Sequence, residues 1–304
     1  MNDLSRWPVL VLTAGLATRL RPLSDLRAKA ALPVAGTPVI RRILAWLADA
    51  GVRRVVLNLH HRPADITAAV GDGRDLGIEV RYSWERRVLG SAGGPRRALG
   101  LLDAHRFLIV NGDTLTDVDL GALTRMHTTS GARVTMAVVA GDVQRYGGVV
   151  AGPEGVVTGF ARGKGRHFVG VQAVEADVFA ALPDDEPSES VRAVYPALIA
   201  RAPRAVRTFE SAASFLDIGT PADYLATVET LAAREGAGFD AGPGCEIDAS
   251  ANVERTVLWD RVRVGAAADL RDCIVTDDVA VPAGARFERQ ILMTGPDGLR
   301  TVPL

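Results

Sequence analysis

Apolar positions along this chain follow two periods in turn. Val9-Leu10-Val11-Leu12 is a continuous apolar run of the length of a buried parallel strand. From Val39 to Ala50 the spacing is helical, with Ile40, Ile43, Leu44 and Leu47 on one face and Gly51 as a stop. Val52 to Leu59 reads as a second strand, Pro63 to Val70 as a short helix ending at Gly71-Asp72-Gly73, and Ile78 to Tyr82 as a third strand. A glycine-rich loop, Val88 to Pro95, precedes a helix predicted from Pro95 to Leu102, proline being favoured at the first helical position. Phe107–Val110, Val134–Val139 and Val169–Val174 are further strands, and Arg145 to Val150 leads into another. Asp177 to Leu182 is a short helix, and Pro183 to Ser190 reads as an acidic, solvated connection. Val191 to Ala202 is helical and Ala205 to Phe209 a strand. This alternation predicts a Rossmann-like, doubly wound, mostly parallel α/β sheet, whose ligands lie beyond the carboxyl ends of the strands.

The texture changes after Arg234-Glu235-Gly236-Ala237-Gly238. From Gly242 onward Ile247, Val253, Leu258, Val264, Leu270, Ile274 and Val279 recur at intervals of about six, with small residues after them. Hexapeptide spacing marks a parallel β-helix, each turn resting its apolar side on the next. The expected organisation is a main domain over 1–235 and a β-helix tail over 240–304. So short a tail must pack on the main domain or on another subunit, which makes a homo-oligomer the expectation.

Composition narrows the chemistry. A chain of 304 residues, 48% hydrophobic and 23% charged, is long enough for a buried core and has the balance of a globular protein. A net charge of −1 gives no sign of a nucleic-acid surface, so local cations are aimed at a small anion. No apolar run approaches the ~20 residues of a membrane span, and MNDLSRWP lacks the layout of a signal peptide. Cys245 and Cys273 make neither a disulfide framework nor a metal motif, so a reducing cytoplasm is expected.

After the first strand, Thr13-Ala14-Gly15-Leu16-Ala17-Thr18-Arg19 is a turn of small residues with one cation. Arg21 follows, and Lys29 stands between two alanines. Small residues let backbone N–H groups approach an anion, so a phosphate site fits, although neither the dinucleotide fingerprint nor the Walker loop is present. The plain competitor is a strand-to-helix turn with solvated arginines. Asp113 lies just past Phe107–Val110, over the ligand crevice, where a carboxylate suits Mg²⁺; a helix cap or turn role fits Asp117 and Asp119 better. His60 and His61 lack a third ligand nearby and read as polar loop residues. Thr220 can cap a helix starting at Pro221, which leaves Asp217 on a strand end and gives Asp223 a structural place in the first helical turn.

The stretch from Gly15 to Pro38 resembles the signature of the sugar-1-phosphate nucleotidylyltransferases: Gly15, Thr18, Arg19, Leu20, Pro22, Leu23, Lys29, Pro33, Val34 and Pro38 match, with Ser24 for Thr. Ala17 replaces the second glycine of the loop, and Ala28 and Ala30 replace the prolines flanking the lysine. Leu89, Gly90, Ala92 and Gly93 match the stretch that in the family lies against the nucleotide base. Tyr146 and Gly147 match residues at the sugar pocket, and Asp217 to Tyr224 matches the late motif at every fixed place. The Glu-Lys-Pro that usually follows is missing; Arg162 and Lys164 stand there, with Gly163 and Gly165 expected to let the loop swing Lys164 inward. The tail resembles the left-handed β-helix of many relatives.

The resemblance implies transfer of a nucleotidyl group from a nucleoside triphosphate to a sugar 1-phosphate, releasing pyrophosphate. Ala14, Gly15 and Thr18 would hold the nucleotide, and Arg19 would neutralise the departing phosphates. Lys29 would hold the α-phosphate and the sugar phosphate, while Asp113 and Asp217 would bind Mg²⁺. Gly71-Asp72-Gly73 and Asn111-Gly112-Asp113 look like the mannose-1-phosphate guanylyltransferase and muramate-phosphate uridylyltransferase branches, and the tail favours the former. GTP with a mannose- or heptose-type phosphate is therefore expected, ahead of UTP or dTTP and of a regulatory homologue without turnover.

Overall fold

A computed structural model describes residues 3–236 and 241–304; residues 237–240, where the texture changes, lie outside it. The chain divides into two compact units, one of residues 1–16 and 40–216, the other of residues 17–39 and 217–304.

The first unit is built on a sheet of β1 (Val9–Leu12), β2 (Arg54–Leu59), β3 (Glu79–Trp84), β4 (Arg106–Asn111), β5 (Val134–Val139), β6 (His167–Glu175) and β7 (Val206–Glu210). Their order across the sheet is β7-β5-β6-β4-β1-β2-β3. All neighbours pair in parallel except β6, which runs antiparallel to both β4 and β5. The central strands are apolar on both faces because both faces are covered: Val9, Leu10, Val11, Phe107, Leu108, Ile109 and Val110 are all fully buried. Helices α1 (Val39–Asp49), α2 (Pro63–Val70), α3 (Gly90–Leu102), α4 (Leu120–Ser130) and α5 (Tyr195–Arg201) alternate with the strands.

One expectation changes here. Helix α3 begins at Gly90, five residues ahead of Pro95, so most of the glycine-rich stretch is helix and not loop. Gly93 and Gly94 are there for closeness: a Cβ on Gly93 would lie 2.5 Å from the Glu186 carbonyl, and one on Gly94 2.9 Å from Asn58 Nδ2. Packing overrides the low helix propensity of glycine. The acidic segment before α5 is largely exposed, as a solvated connection should be, and it is also strapped to the start of α3. Ser188 N–H donates to the Leu89 carbonyl at 2.9 Å, and the Ser188 carbonyl accepts from Ala92 and Gly93 at 2.9 and 3.3 Å.

In the second unit, residues 17–39 form three tight helical turns, Thr18–Leu20, Leu23–Leu26 and Lys29–Ala31, followed by a small hairpin of Pro33–Val34 with Thr37–Pro38. Helix α6 (Pro221–Glu235) follows. The tail is a left-handed β-helix with three strands per coil, and partners stack 17 residues apart, as Asn252 on Asp269. Leu258, Val264, Leu270, Val275 and Val281 fill its interior. Ile247, expected among them, is in register with Val264 on the outermost described coil and stays 45% exposed. The chain ends in an antiparallel hairpin, Gln290–Gly295 with Gly298–Pro303, that hexapeptide spacing does not foretell.

Candidate active site

The carboxyl ends of β1, β2 and β4 are level, with Leu12 in register with Asn58 on one side and Asn111 on the other. A polar chain crosses this edge. Thr13 N–H donates to Asn58 Oδ1 at 2.7 Å, Asn58 Nδ2 donates to Glu85 Oε1 at 2.7 Å, and Leu89 N–H donates to Glu85 Oε2 at 2.9 Å. The turn after β1 is thereby tied to the start of α3. Burial pushes the Glu85 carboxyl up from its ordinary range, and the Leu89 and Asn58 donors oppose that shift. The sequence reading passed over Glu85, because one acidic residue after a strand carries no spacing signal.

Of the residues expected at the nucleotide, Ala14 is buried and Gly15 exposed, and a side chain on Gly15 would meet nothing in the protein. Thr18 and Arg19 are exposed in the second unit. Ala17 has φ +48° and ψ +44°, the left-handed conformation that glycine adopts freely. The turn therefore keeps its shape with alanine, at a cost of about 1–2 kcal/mol. Lys29 is half-buried and opens its own short helical turn. Ala28 has φ −56°, within the range proline imposes, and Ala28 and Ala30 are both buried. The departure at Ala28 therefore leaves a proline-like backbone in place.

At the start of α3, Leu89 and Ala92 are buried, and the N–H groups of Ala92 and Gly93 are already engaged by Ser188. Gly90 has φ +77°, and a Cβ there would lie 2.6 Å from Glu189 Oε1. Glu189 Oε2 accepts from the Ser91 hydroxyl at 2.7 Å. The sequence reading did not single out Glu189, which reaches Gly90 only through the fold.

Asp113 follows Gly112, where a Cβ would lie 2.6 Å from the Leu12 carbonyl; glycine is needed for β4 to end against β1. Asp113 is half-buried, and Thr114 Oγ1 donates to its Oδ1 at 3.3 Å. Asp217, also half-buried, ends the short strand Phe215–Asp217 in the second unit, and its carbonyl accepts from Thr227 Oγ1 at 3.1 Å. A Cβ on Gly219 would lie 2.6 Å from Asp217 Oδ2 and 3.1 Å from Asp223 Oδ2. Asp223 is occupied with capping: Thr220 Oγ1 accepts from its N–H at 3.2 Å and donates to its Oδ2 at 2.8 Å. Among the described residues no group of three or more His, Cys, Asp or Glu could hold a metal unaided. Mg²⁺ does not need such a cage, since one or two carboxylates with substrate phosphates suffice, and Asp113 and Asp217 are of the right donor type. His60 Nδ1 lies 3.0 Å from the Glu85 carbonyl, a loop contact.

Tyr146 ends the short helix Val143–Tyr146 and packs on His167 and Phe215, with ring centroids 4.7 and 5.2 Å apart. Gly147 follows in an open position with φ +80°. Arg162 and Lys164 are exposed on the next turn. That turn is tied down by backbone bonds. Gly163 N–H donates to the Val143 carbonyl at 3.0 Å, Arg166 N–H to Val149 at 3.0 Å, and Val149 N–H to Arg166 at 2.8 Å. A Cβ on Gly165 would collide with the Val149 carbonyl, so Gly165 serves close backbone approach. A cavity of about 400 Å³ opens past the ends of β5 and β7, walled by residues 138–140, Arg166 and residues 210–213. None of the four residues expected at the sugar lines it.

A doubly wound sheet with a small-residue turn after its first strand is an arrangement suited to holding the phosphates of a nucleotide at the carboxyl ends of the strands. The chain belongs to the Nucleotidyl transferase family, whose pattern matches residues 8–234, and a GlmU-like, C-terminal hexapeptide pattern matches residues 241–292. It is a sugar-1-phosphate nucleotidylyltransferase. It is 30% identical over 301 residues to a mannose-1-phosphate guanylyltransferase of Mycobacterium tuberculosis, covering 92% of this chain and 82% of that protein. An N-acetylmuramate alpha-1-phosphate uridylyltransferase of Neisseria meningitidis is 43% identical over 114 residues, 37% of this chain and 49% of its own length. In fold the chain resembles HddC from Yersinia pseudotuberculosis, solved with GMP-PN, at a TM-score of 0.65 and 24% identity over 74% of this chain and 99% of that one.

Proposed function

We propose that the protein transfers a guanylyl group from GTP to a mannose- or heptose-type sugar 1-phosphate. The observation that carries this reading is the likeness to a guanylyltransferase along nearly the whole chain, tail included. A second feature supports it. Guanine presents an adjacent N1–H and N2–H₂ donor pair, whose complement is a carboxylate. Glu189 places one beside Gly90, its Oε2 accepting from the Ser91 hydroxyl and its Oε1 lying nearest to where a Gly90 Cβ would be.

The acceptor phosphate is close to dianionic at neutral pH, so its oxygen attacks the α-phosphorus without a general base. The new oxygen–phosphorus bond forms in line as the bond to the β-phosphate breaks, and pyrophosphate leaves. Catalysis is then positioning and charge neutralisation. Lys29 would hold the α-phosphate and the acceptor phosphate, and Arg19 the departing phosphates. Asp113 and Asp217 would hold Mg²⁺, which when bound neutralises charge on the phosphates. Of the 35 basic residues only Lys29 and Lys164 are lysines. In a chain that otherwise writes its cations as arginine, both compact ammonium groups fall where phosphates are expected.

The test is pyrophosphate release from GTP, UTP, dTTP and CTP against mannose, heptose, glucose and N-acetylmuramate 1-phosphates with Mg²⁺. GTP with mannose or heptose 1-phosphate should give the highest kcat/KM. A preference for UTP or dTTP would reassign the base, and binding without pyrophosphate release would defeat the proposed turnover.

A further inference from the structure

Arg27 stands two residues before Lys29, and its side chain is only 18% exposed. Its Nη2 donates to Asp260 Oδ2 at 2.9 Å and to Asp277 Oδ1 and Oδ2 at 2.7 and 2.9 Å. The guanidinium carbon lies 4.9 Å from the centroid of the Trp259 ring. The two aspartates belong to successive coils of the tail, joined to each other by the Asp260 N–H, which donates to Asp277 Oδ1 at 3.0 Å. Burial works against the charge on Arg27, and Asp277 and Asp260 outweigh it.

A second tether lies on the other side of Lys29. Trp259 is fully buried, and its Nε1–H donates to the Tyr224 hydroxyl at 3.2 Å. That hydroxyl donates in turn to the Pro33 carbonyl at 2.5 Å. The short helical turn bearing Lys29 is therefore gripped at Arg27 and at Pro33, and both grips converge on the coil corner at Trp259 and Asp260. A lysine on a four-carbon stem has many rotamers, so the place of its backbone decides where the ammonium can reach.

We infer that Arg27, Trp259, Asp260 and Asp277 are positioning residues for Lys29, so that the β-helix sets the reach of that ammonium. This rests on Lys29 acting in turnover. Misplacing a reacting group by about 1 Å costs on the order of a hundredfold in rate, so loosening the corner should act on kcat.

The experiment uses the full chain with Asp260→Asn and Asp277→Asn combined, which keeps size and removes charge. Four quantities are read: kcat, KM, the melting temperature, and labelling of Lys29 by pyridoxal phosphate and borohydride. Lys164, the other lysine of the chain, is the internal standard in the peptide map. The control is Arg255→Gln with Asp272→Asn, a pair with the same 17-residue stacking. We expect kcat at saturating substrate to fall at least tenfold and the Lys29 to Lys164 labelling ratio to fall with it, while the control loses melting temperature only. If the double variant does not fold, Trp259→Phe, which keeps the ring and loses the donor to Tyr224, carries the same expectation at a smaller size. Unchanged kcat and labelling ratio in a folded variant overturn the inference, as does an equal loss in the control. Lys29→Ala, measured alongside, separates the layers: full activity there defeats the proposed role of Lys29, whereas lost activity there beside an unaffected corner variant defeats only the positioning role.

Discussion

Glu85 is 5% exposed, in surroundings that disfavour its charge, yet both its oxygens accept: Oε1 from Asn58 and Oε2 from Leu89. Asn58 cannot turn its amide round, because its Oδ1 already accepts from Thr13 N–H. Two acceptors are therefore needed, and only a carboxylate supplies both. Glu85→Gln should leave a donor facing a donor and cost about 1–3 kcal/mol in stability. It should raise KM for the nucleotide more than for the sugar phosphate, since the start of α3 shifts; an unchanged melting temperature and nucleotide KM would sink this account. Asp113→Asn and Asp217→Asn each remove a charged oxygen from the proposed Mg²⁺ set. Each should lose most turnover with an unchanged melting curve, and near-normal rates at saturating Mg²⁺ would remove that aspartate from the set. Both aspartates were legible in the sequence as carboxylates at strand ends inside fixed motifs. Glu85 and Glu189 were not, since what marks them is a partner brought by the fold.

The elements divide in the same way. Strands with continuous apolar runs and helices with one apolar face were read to within a few residues, because those periods are local. The start of α3 was misplaced because glycines read as a loop until β2 and the strap come close enough to demand them. The turn at residues 162–166 was read as mobile from Gly163 and Gly165, yet Gly165 is required by backbone contact with Val149 and Gly163 lies against the Gln144 side chain. This pinned turn sharpens the expectation for Lys164, whose backbone is fixed while its side chain stays exposed. If Lys164 meets the acceptor phosphate, Lys164→Ala removes a charge-assisted hydrogen bond of roughly 1.5–3 kcal/mol. The kcat/KM for the sugar phosphate should then fall about ten- to a hundredfold, with KM for the nucleotide nearly constant. Equal, small changes in both would return Lys164 to solvent.

For the whole molecule, two buried histidines contribute to the loss of stability in acid. Burial holds His127 and His167 below their ordinary value of 6.5. A base whose folded pKa is lowered takes up its proton more readily when unfolded. Stability is therefore full above pH 6.5 and is lost as pH falls from there toward the folded pKa, by up to about 1.4 kcal/mol per pH unit for each group. Glu85 pulls the other way, since burial raises its carboxyl above the ordinary range while the Leu89 and Asn58 donors oppose that rise. His167→Phe keeps a ring against Tyr146 and Phe215 and removes one titration. Its melting temperature should fall less than that of the unaltered protein between pH 6.5 and 5, and an equal slope would show that His167 does not contribute.

By itself the sequence determined the alternation of strand and helix, the hexapeptide tail, the family and the order of its motifs. Each of these is carried by contiguous residues or by a short repeat. Only the tertiary structure decided that Glu189 lies beside Gly90, 99 residues earlier in the chain, where its neighbour Ser190 also meets Ser91. It alone decided that Arg27 is gripped by Asp260, 233 residues away. Contacts of that kind depend on how closely backbones approach and on which charge is left buried, and no local pattern of side chains encodes either.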